Sequence, residues 1–268
     1  MGGEVVNADS MQLYRGMDVG TAKLAPDERG GVPHHLLDVW PVTVTATAAA
    51  YQELCRQVVD DLRARGVVPV LVGGSGLYLR AALDDLQFPG TDPVLRAELE
   101  ADLEREGAPA LHARLAALDP GAATRMEATN GRLIVRALEV VLLHGSMPGA
   151  MTSYDAHYET TYVGVDRPDL ADRIALRVDR MWEQGLVDEV RRLDAQGLRD
   201  GVTASRALGY AQVLGALDGR WDQAHARELT VVATRRFARR QRAWFRRDPR
   251  VHWLDPAQDP LRQTLDLL

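Results

Sequence analysis

Residues 46–76 constrain the fold of this chain more than any other stretch. Ala49, Leu54, Val58 and Leu62 recur at helical spacing across Ala46–Gly66. That helix runs into Val67-Val68-Pro69-Val70-Leu71-Val72, an apolar run of strand length, and then into Gly73-Gly74-Ser75-Gly76. A helix feeding a buried strand, which ends in a glycine turn opening another helix, is one step of a parallel α/β sheet. Glu4–Ala8 supplies an earlier strand, ending in the polar turn Asn7-Ala8-Asp9-Ser10. His34–Val39, after the break at Pro33, reads as a second short strand.

The rhythm changes at about Asp92. Asp92–Leu118 and Gly131–His144 read as helices with no strand between them, followed by a turn-rich connection over Pro148–Thr161. Tyr162–Val165 returns as a strand. A long helix then runs from about Pro168 to Gln196, with a loop at Gly197–Val202, helices at Thr203–Leu217 and Gln223–Arg247, and a last strand at Val251–Leu254. The expected organisation is an α/β core of residues 1–90 and 162–268 around an all-helical insertion of residues 91–161. A chain of 268 residues, 46% hydrophobic, can bury such a core. Cys55 is the only cysteine, which excludes an intrachain disulfide and argues against a cysteine metal site. Val67–Val72 is about the longest apolar run, far short of a membrane span, and no basic-plus-apolar leader is expected at the N-terminus. The expected location is the cytoplasm, with no membrane partner.

Several constellations can carry chemistry. Ligands of open α/β sheets bind beyond the carboxyl ends of the strands, where Asp9 and Ser10 stand. A carboxylate there can accept a proton or hold a metal with phosphates attached; an N-cap or Asx-turn is the alternative. Gly16-Met17-Asp18-Val19-Gly20-Thr21-Ala22-Lys23 can wrap an anion with backbone amides and a cation, although it lacks the Walker A order. Gly73–Gly76, with the Ser75 hydroxyl, suits a phosphate at a helix start or a close-packed turn. Arg173, Arg177 and Arg180 line one stripe, a diphosphate clamp or a solvated face paired with Asp169, Asp172 and Glu183. Net charge is −6, which globally argues against nucleic acid. Yet Thr234–Arg247 holds seven arginines in fourteen residues, interleaved with Phe237, Trp244 and Phe245, so a polyanion partner is expected there. Arg132 and Arg136 can extend that track, with Asn130 as an N-cap.

Taken together, these strings resemble the tRNA dimethylallyltransferases, also called tRNA isopentenyltransferases. The resemblance lies in Asn7–Lys23 (NADSMQLYRGMDVGTAK), Pro33–Val39, Leu71–Leu83, Arg136–Val140, Gly164–Val190, Ala207–Gln212 (ALGYAQ) and Arg235–Asp255, in the family's order over nearly the whole chain. It implies a P-loop-NTPase-like parallel sheet flanked by helices, with a helical insertion gripping the tRNA anticodon stem-loop. It implies transfer of a dimethylallyl group from dimethylallyl diphosphate to N6 of the adenine next to the anticodon, assisted by Mg²⁺. By similarity Asp9 is the general base and Arg177 steadies the diphosphate; Lys23 of the glycine loop is a further candidate for a diphosphate contact. Ser10, Met11 and Gln12 help hold the base, and Ser75 touches the RNA. Arg132, Leu133, Ile134, Val135 and Arg136, with Ala207, Leu208, Gly209, Tyr210, Ala211 and Gln212, match tRNA-touching stretches. The expected state is a monomer.

Two departures accompany the resemblance. Leu133 stands where another polar or basic residue is expected. Family members begin with a strand and a GPTASGKS/T-like phosphate loop ahead of the Asp9 motif, and no such string stands in these 268 residues. The expectation is that a start placed too late, or a shortened clone, accounts for this better than a natural short form. No metal ligand is then identifiable, Arg177 is left largely alone with the leaving group, and loss of a central strand exposes apolar sheet surface. Prenyl transfer is expected to be impaired in this form. The rival expectations are a tRNA-binding remnant without transfer and a small-molecule P-loop kinase relative, against which the arginine-rich last helix argues.

Overall fold

The structure, a computed structural model, describes residues 2–148 and 154–268. In chain order its elements are β1 (Gly3–Asn7), β2 (His34–His35), α1 (Ala48–Ala64), β3 (Val68–Val72), α2 (Gly76–Leu83), α3 (Pro93–Glu106), α4 (Ala108–Leu118), α5 (Pro120–Thr124) and α6 (Gly131–His144). They continue with β4 (Tyr162–Val165), α7 (Leu170–Glu183), α8 (Leu186–Asp194), α9 (Tyr210–Leu217), α10 (Gln223–Phe245), β5 (Val251–Leu254) and α11 (Pro260–Leu267). The chain divides into two compact units, Met1–Asp84 with Ala156–Leu268, and Asp85–Asp155. The second unit begins and ends six residues before the expected insertion (85 against 91, 155 against 161). Asp84 and Ala156 form an isolated antiparallel bridge, so the chain leaves and re-enters the α/β unit at that pair.

Among the described residues, the named strands of the α/β unit pair in parallel, in two separate sheets. One has the order β2-β1-β3, with Val5 opposite both His34 and Val70; the other pairs β4 with β5. The α1 helix starts at an N-cap, where Thr47 accepts the Ala50 amide. Its buried stripe of Tyr51, Cys55, Val59 and Leu62 packs with Val6, Ala8 and Leu13. The opposite face of β3 is bare: Val68, Val70 and Val72 are 41%, 46% and 52% exposed, and Val165 of β4 is 55% exposed. A second core gathers Tyr14, Met17, Met181, Leu186, Val190 and Tyr210 around the loop after β1.

Single residues correct several expected boundaries. The second strand stops after His35 because Leu36 and Asp38 adopt φ of 61° and 57°, outside any strand. Glycines at positive φ divide three expected helices: Gly107 separates α3 from α4, Gly185 separates α7 from α8, and Gly209 delays the start of α9 to Tyr210. Within the connection expected over Pro148–Thr161, residues 149–153 lie outside those described, as does Met1.

In the helical unit, Leu99, Leu111, Leu115, Ile134 and Leu138 form the core. The fully buried carboxylate of Glu139 organises one side of it. It accepts the Thr91 hydroxyl and the Asp92 amide (3.0 Å) and pairs with Arg96 and Arg136. Burial pushes its pKa up, but bonds from Thr91, Arg96, Arg136 and the Asp92 amide outweigh that and hold it at about 2.

Candidate active site

The site begins where β1 ends. Asn7 is 4% exposed, and its side chain ties three segments together. Its Oδ1 accepts the Asp9 amide at 2.9 Å, while its Nδ2 donates to the Asp9 and Leu36 carbonyls. The Tyr51 hydroxyl donates to its main-chain carbonyl. Asp9 is thereby held at the sheet rim, half-buried. Its Oδ1 accepts the Met11 amide at 2.8 Å, as an Asx-turn does. Its Oδ2 accepts no hydrogen bond among the described residues.

The Gly73–Gly76 turn is laid against this point. The ladder continues past β3, with the Ala8 amide donating to Val72 and the Ser75 amide to Ala8. Ser75 Oγ accepts the Ser10 amide and donates to Ser10 Oγ, both at 3.1 Å, so the two hydroxyls stand beside Asp9. Of the two readings of this glycine turn, close packing is the one its contacts carry. A Cβ on Gly73 would fall 2.2 Å from the Ala8 carbonyl carbon, and one on Gly76 would fall 2.2 Å from Trp244 Nε1. Gln241 Nε2 donates to the Gly74 carbonyl at 2.9 Å. The α10 helix is therefore docked on the turn through Gln241 and Trp244.

The loop 16–23 corrects an expectation. Its amides do surround an anion, but the anion is Glu189 of α8, 1% exposed. Glu189 Oε2 accepts the Asp18 and Val19 amides at 3.1 and 2.8 Å, and Oε1 accepts the Gly20 amide and the Tyr210 hydroxyl. Lys23, expected as a diphosphate contact, is committed within the protein. Its three ammonium donors go to the Tyr14 carbonyl, Asp18 and Asp38 at 2.8, 2.8 and 2.6 Å, and the side chain is 3% exposed. Arg177, exposed on α7, donates one Nη2 bond to the Thr21 carbonyl at 3.2 Å; Gln12 Nε2 donates to the same oxygen at 3.1 Å. Arg173 is instead drawn to Asp169, as the solvated-face reading expects, so the stripe does not act as one clamp.

The tRNA-matching stretches are only partly available. Arg132 and Leu133 are exposed, but Ile134 and Val135 are buried in the helical core. Arg136 is occupied by Glu139 and the Pro89 and Gly90 carbonyls. A helix turns successive side chains by about 100°, so five consecutive residues cannot all face one ligand. Ala207, Gly209 and Tyr210 are buried, whereas Leu208, Ala211 and Gln212 are half-buried; Gln212 caps α9 through the Gly209 amide. Met11 is half-buried against the core around Tyr14. On α10, Arg235 reaches the Ala171 carbonyl and Arg242 and Arg246 pair with Asp166. Arg236, Arg239 and Arg240 face solvent and make no ion pair among the described residues.

The IPP transferase family profile matches residues 12–248. The tRNA dimethylallyltransferase of Streptomyces coelicolor is 65% identical over 261 residues, covering 95% of this chain and 82% of that protein. The crystal structure of the full-length tRNA isopentenylpyrophosphate transferase from Bacillus halodurans aligns with a TM-score of 0.70 at 37% identity, over 99% of this chain and 87% of that one. A eukaryotic dimethylallyltransferase seen acting on tRNA shares the fold, with a TM-score of 0.81 at 23% identity over 98% of this chain and 71% of that one. A profile match running from Gln12 to Asp248, joined to such identity, makes this chain a member of the IPP transferase family.

Proposed function

We propose that this protein transfers a dimethylallyl group from dimethylallyl diphosphate to the exocyclic N6 of an adenine beside the anticodon of tRNA, in the cytoplasm. The observation that carries the reading is Asp9: a carboxylate at the carboxyl end of a parallel strand, one oxygen fixed by a main-chain amide and the other uncommitted. The adenine amine is a poor nucleophile. Asp9 accepts its proton as N6 bonds to the allylic carbon, the carbon–oxygen bond to diphosphate breaks, and diphosphate leaves with that electron pair. Arg177 is anchored through a single N–H and turns its remaining donors to the leaving oxygens. Ser10, Gln12 and Ser75 flank the base. Arg132, Leu133, Leu208, Ala211 and the α10 arginines Arg236, Arg239 and Arg240 touch the RNA, their contacts supplying affinity and register. The helical unit holds the anticodon stem-loop. The adenine is extruded from its loop to reach Asp9, as single-stranded RNA permits.

Mg²⁺ belongs to the same proposal as a companion of the diphosphate. Among the described residues no three His, Cys, Asp or Glu side chains converge. Mg²⁺ needs no such cage, because it keeps several waters and rides on substrate phosphates with one or two protein oxygens. The Ser10 and Ser75 hydroxyls would offer oxygens of that kind, and the ion, when bound, would neutralise the diphosphate charge.

Asp9→Ala tests the reading. It is expected to retain tRNA affinity and lose at least about a hundredfold in transfer. Wild-type turnover by Asp9→Ala would remove Asp9 from the chemistry. Tight tRNA binding without transfer by the unsubstituted full chain would favour the tRNA-binding alternative.

A further inference from the structure

Glu189 is a buried carboxylate without a cation. Among the described residues no lysine, arginine or histidine pairs with it; three consecutive main-chain amides and one phenol hold it. A buried charge is expensive to keep, and an apolar residue at this helix position could fill the core. What the charge does is local and specific. It gathers the amides of Asp18, Val19 and Gly20 into one concave nest. The approach is close enough that a Cβ on Gly20 would fall 2.4 Å from the Tyr210 ring. The next residue is Thr21, whose hydroxyl donates back to the Met17 carbonyl at 2.7 Å and whose carbonyl receives both Arg177 and Gln12. The far end of the loop is closed by Lys23 on Tyr14, Asp18 and Asp38.

We infer that Glu189 is a positioning residue for prenyl transfer: it is the resident anion of the Asp18–Gly20 nest, and through the Thr21 carbonyl it sets where Arg177 and Gln12 stand. The inference rests on the reading of Arg177 as the diphosphate ligand. Arg177 is an exposed side chain on a solvent-facing helix stripe, and its one hydrogen bond among the described residues is to Thr21. A guanidinium tethered at a single fixed oxygen is preorganised, so no loop rearrangement is needed as charge builds on the leaving group. If the nest relaxes, the Thr21 carbonyl moves and Arg177 swings free, still charged but no longer aimed. Tyr210 enters the same device as the fourth ligand of the carboxylate. Burial and the neighbouring Glu189 push its phenol pKa far up, so it stays a donor.

The experiment combines calorimetric binding of inorganic pyrophosphate with steady-state transfer kinetics and thermal melting. It compares the full chain with Glu189→Gln, Arg177→Ala and the double variant. Glutamine keeps the shape but turns an amide NH₂ toward amide donors. Glu189→Gln is expected to bind pyrophosphate about tenfold more weakly and to lose about ten- to a hundredfold in kcat, with tRNA affinity unchanged. The double variant should be no worse than Arg177→Ala alone, because both act through one guanidinium. If Glu189 were merely part of the core, Glu189→Gln would lower the melting temperature with pyrophosphate affinity unchanged and effects additive with Arg177→Ala. That result overturns the inference and leaves Arg177 its role. Wild-type pyrophosphate affinity in Arg177→Ala would instead refute the diphosphate reading, and this inference with it. Should Glu189→Gln not fold, Tyr210→Phe keeps the carboxylate and removes one of its donors. A smaller pyrophosphate loss, again absent in the Arg177→Ala background, supports the inference; an additive loss overturns it.

Discussion

Gly73→Ala puts the site's tightest packing to the test. The added Cβ would lie 2.2 Å from the Ala8 carbonyl carbon, 2.4 Å from its oxygen and 2.7 Å from the Asp9 nitrogen. Carbon atoms rest at about 3.5 Å, so β1 and the glycine turn must part by about 1.3 Å. All three obstructing atoms are main chain, and none can rotate away. The displaced residue is Asp9 itself, together with the bonds from Ser75 to Ala8 and from Ser10 to Ser75. Overpacking of this kind costs about 1–3 kcal/mol of stability. A shift of about 1 Å in a reacting group lowers kcat about a hundredfold. Steady-state transfer with labelled donor should therefore show kcat down by about two orders of magnitude, with tRNA affinity by filter binding little changed. Wild-type kcat with an undiminished melting temperature would refute the argument that glycine is needed for Asp9 to sit at this rim.

Replacing Arg236, Arg239 and Arg240 with alanine should weaken tRNA binding and lower the slope of log K against log salt by about 0.7–0.9 for each phosphate no longer neutralised; an unchanged slope removes this face from the RNA surface. Arg132→Ala and Arg136→Ala should separate cleanly in binding and melting assays. The first weakens tRNA binding at constant melting temperature, and the second destabilises the helical unit by about 3 kcal/mol by leaving Glu139 under-paired. Glu139 also sets an acid limit. Its folded pKa of about 2 lies below the ordinary glutamate value of 4.5, so its contribution is full above pH 4.5 and is lost as pH falls toward 2. Acid titration followed by circular dichroism should show Glu139→Gln less stable at neutral pH and less sensitive to acid between those values; equal acid sensitivity in the two proteins would count against it.

Local pattern made the strands legible, and with them Asp9. Val68–Val72 and Tyr162–Val165 are apolar, β-branched runs bounded by turn residues, and each forms a strand in parallel pairing. The helix breaks were not legible, because apolar periodicity carries across a single glycine and only the backbone sign at Gly107, Gly185 and Gly209 reveals the stop. Glu189 escapes sequence reasoning for a different reason. The loop it holds lies about 170 residues earlier in the chain, and periodicity assigns a glutamate in the first turn of a helix to the favourable dipole end or to solvent. Asn7 offers a faint signal, a polar residue at the buried end of an apolar strand. Lys23 resembles an anion ligand because a glycine loop followed by lysine suits one; the fold instead supplies a carboxylate to the loop and two more to the lysine.

The central claim is that the uncommitted oxygen of Asp9 activates an adenine presented by a tRNA loop. The most direct measurement incubates the full chain with labelled dimethylallyl diphosphate and tRNA, digests the RNA to nucleosides and maps the label. The account requires label on N6 of the adenine next to the anticodon, present with the unsubstituted protein and absent with Asp9→Ala. Label on another nucleoside, or equal labelling by both proteins, would contradict it.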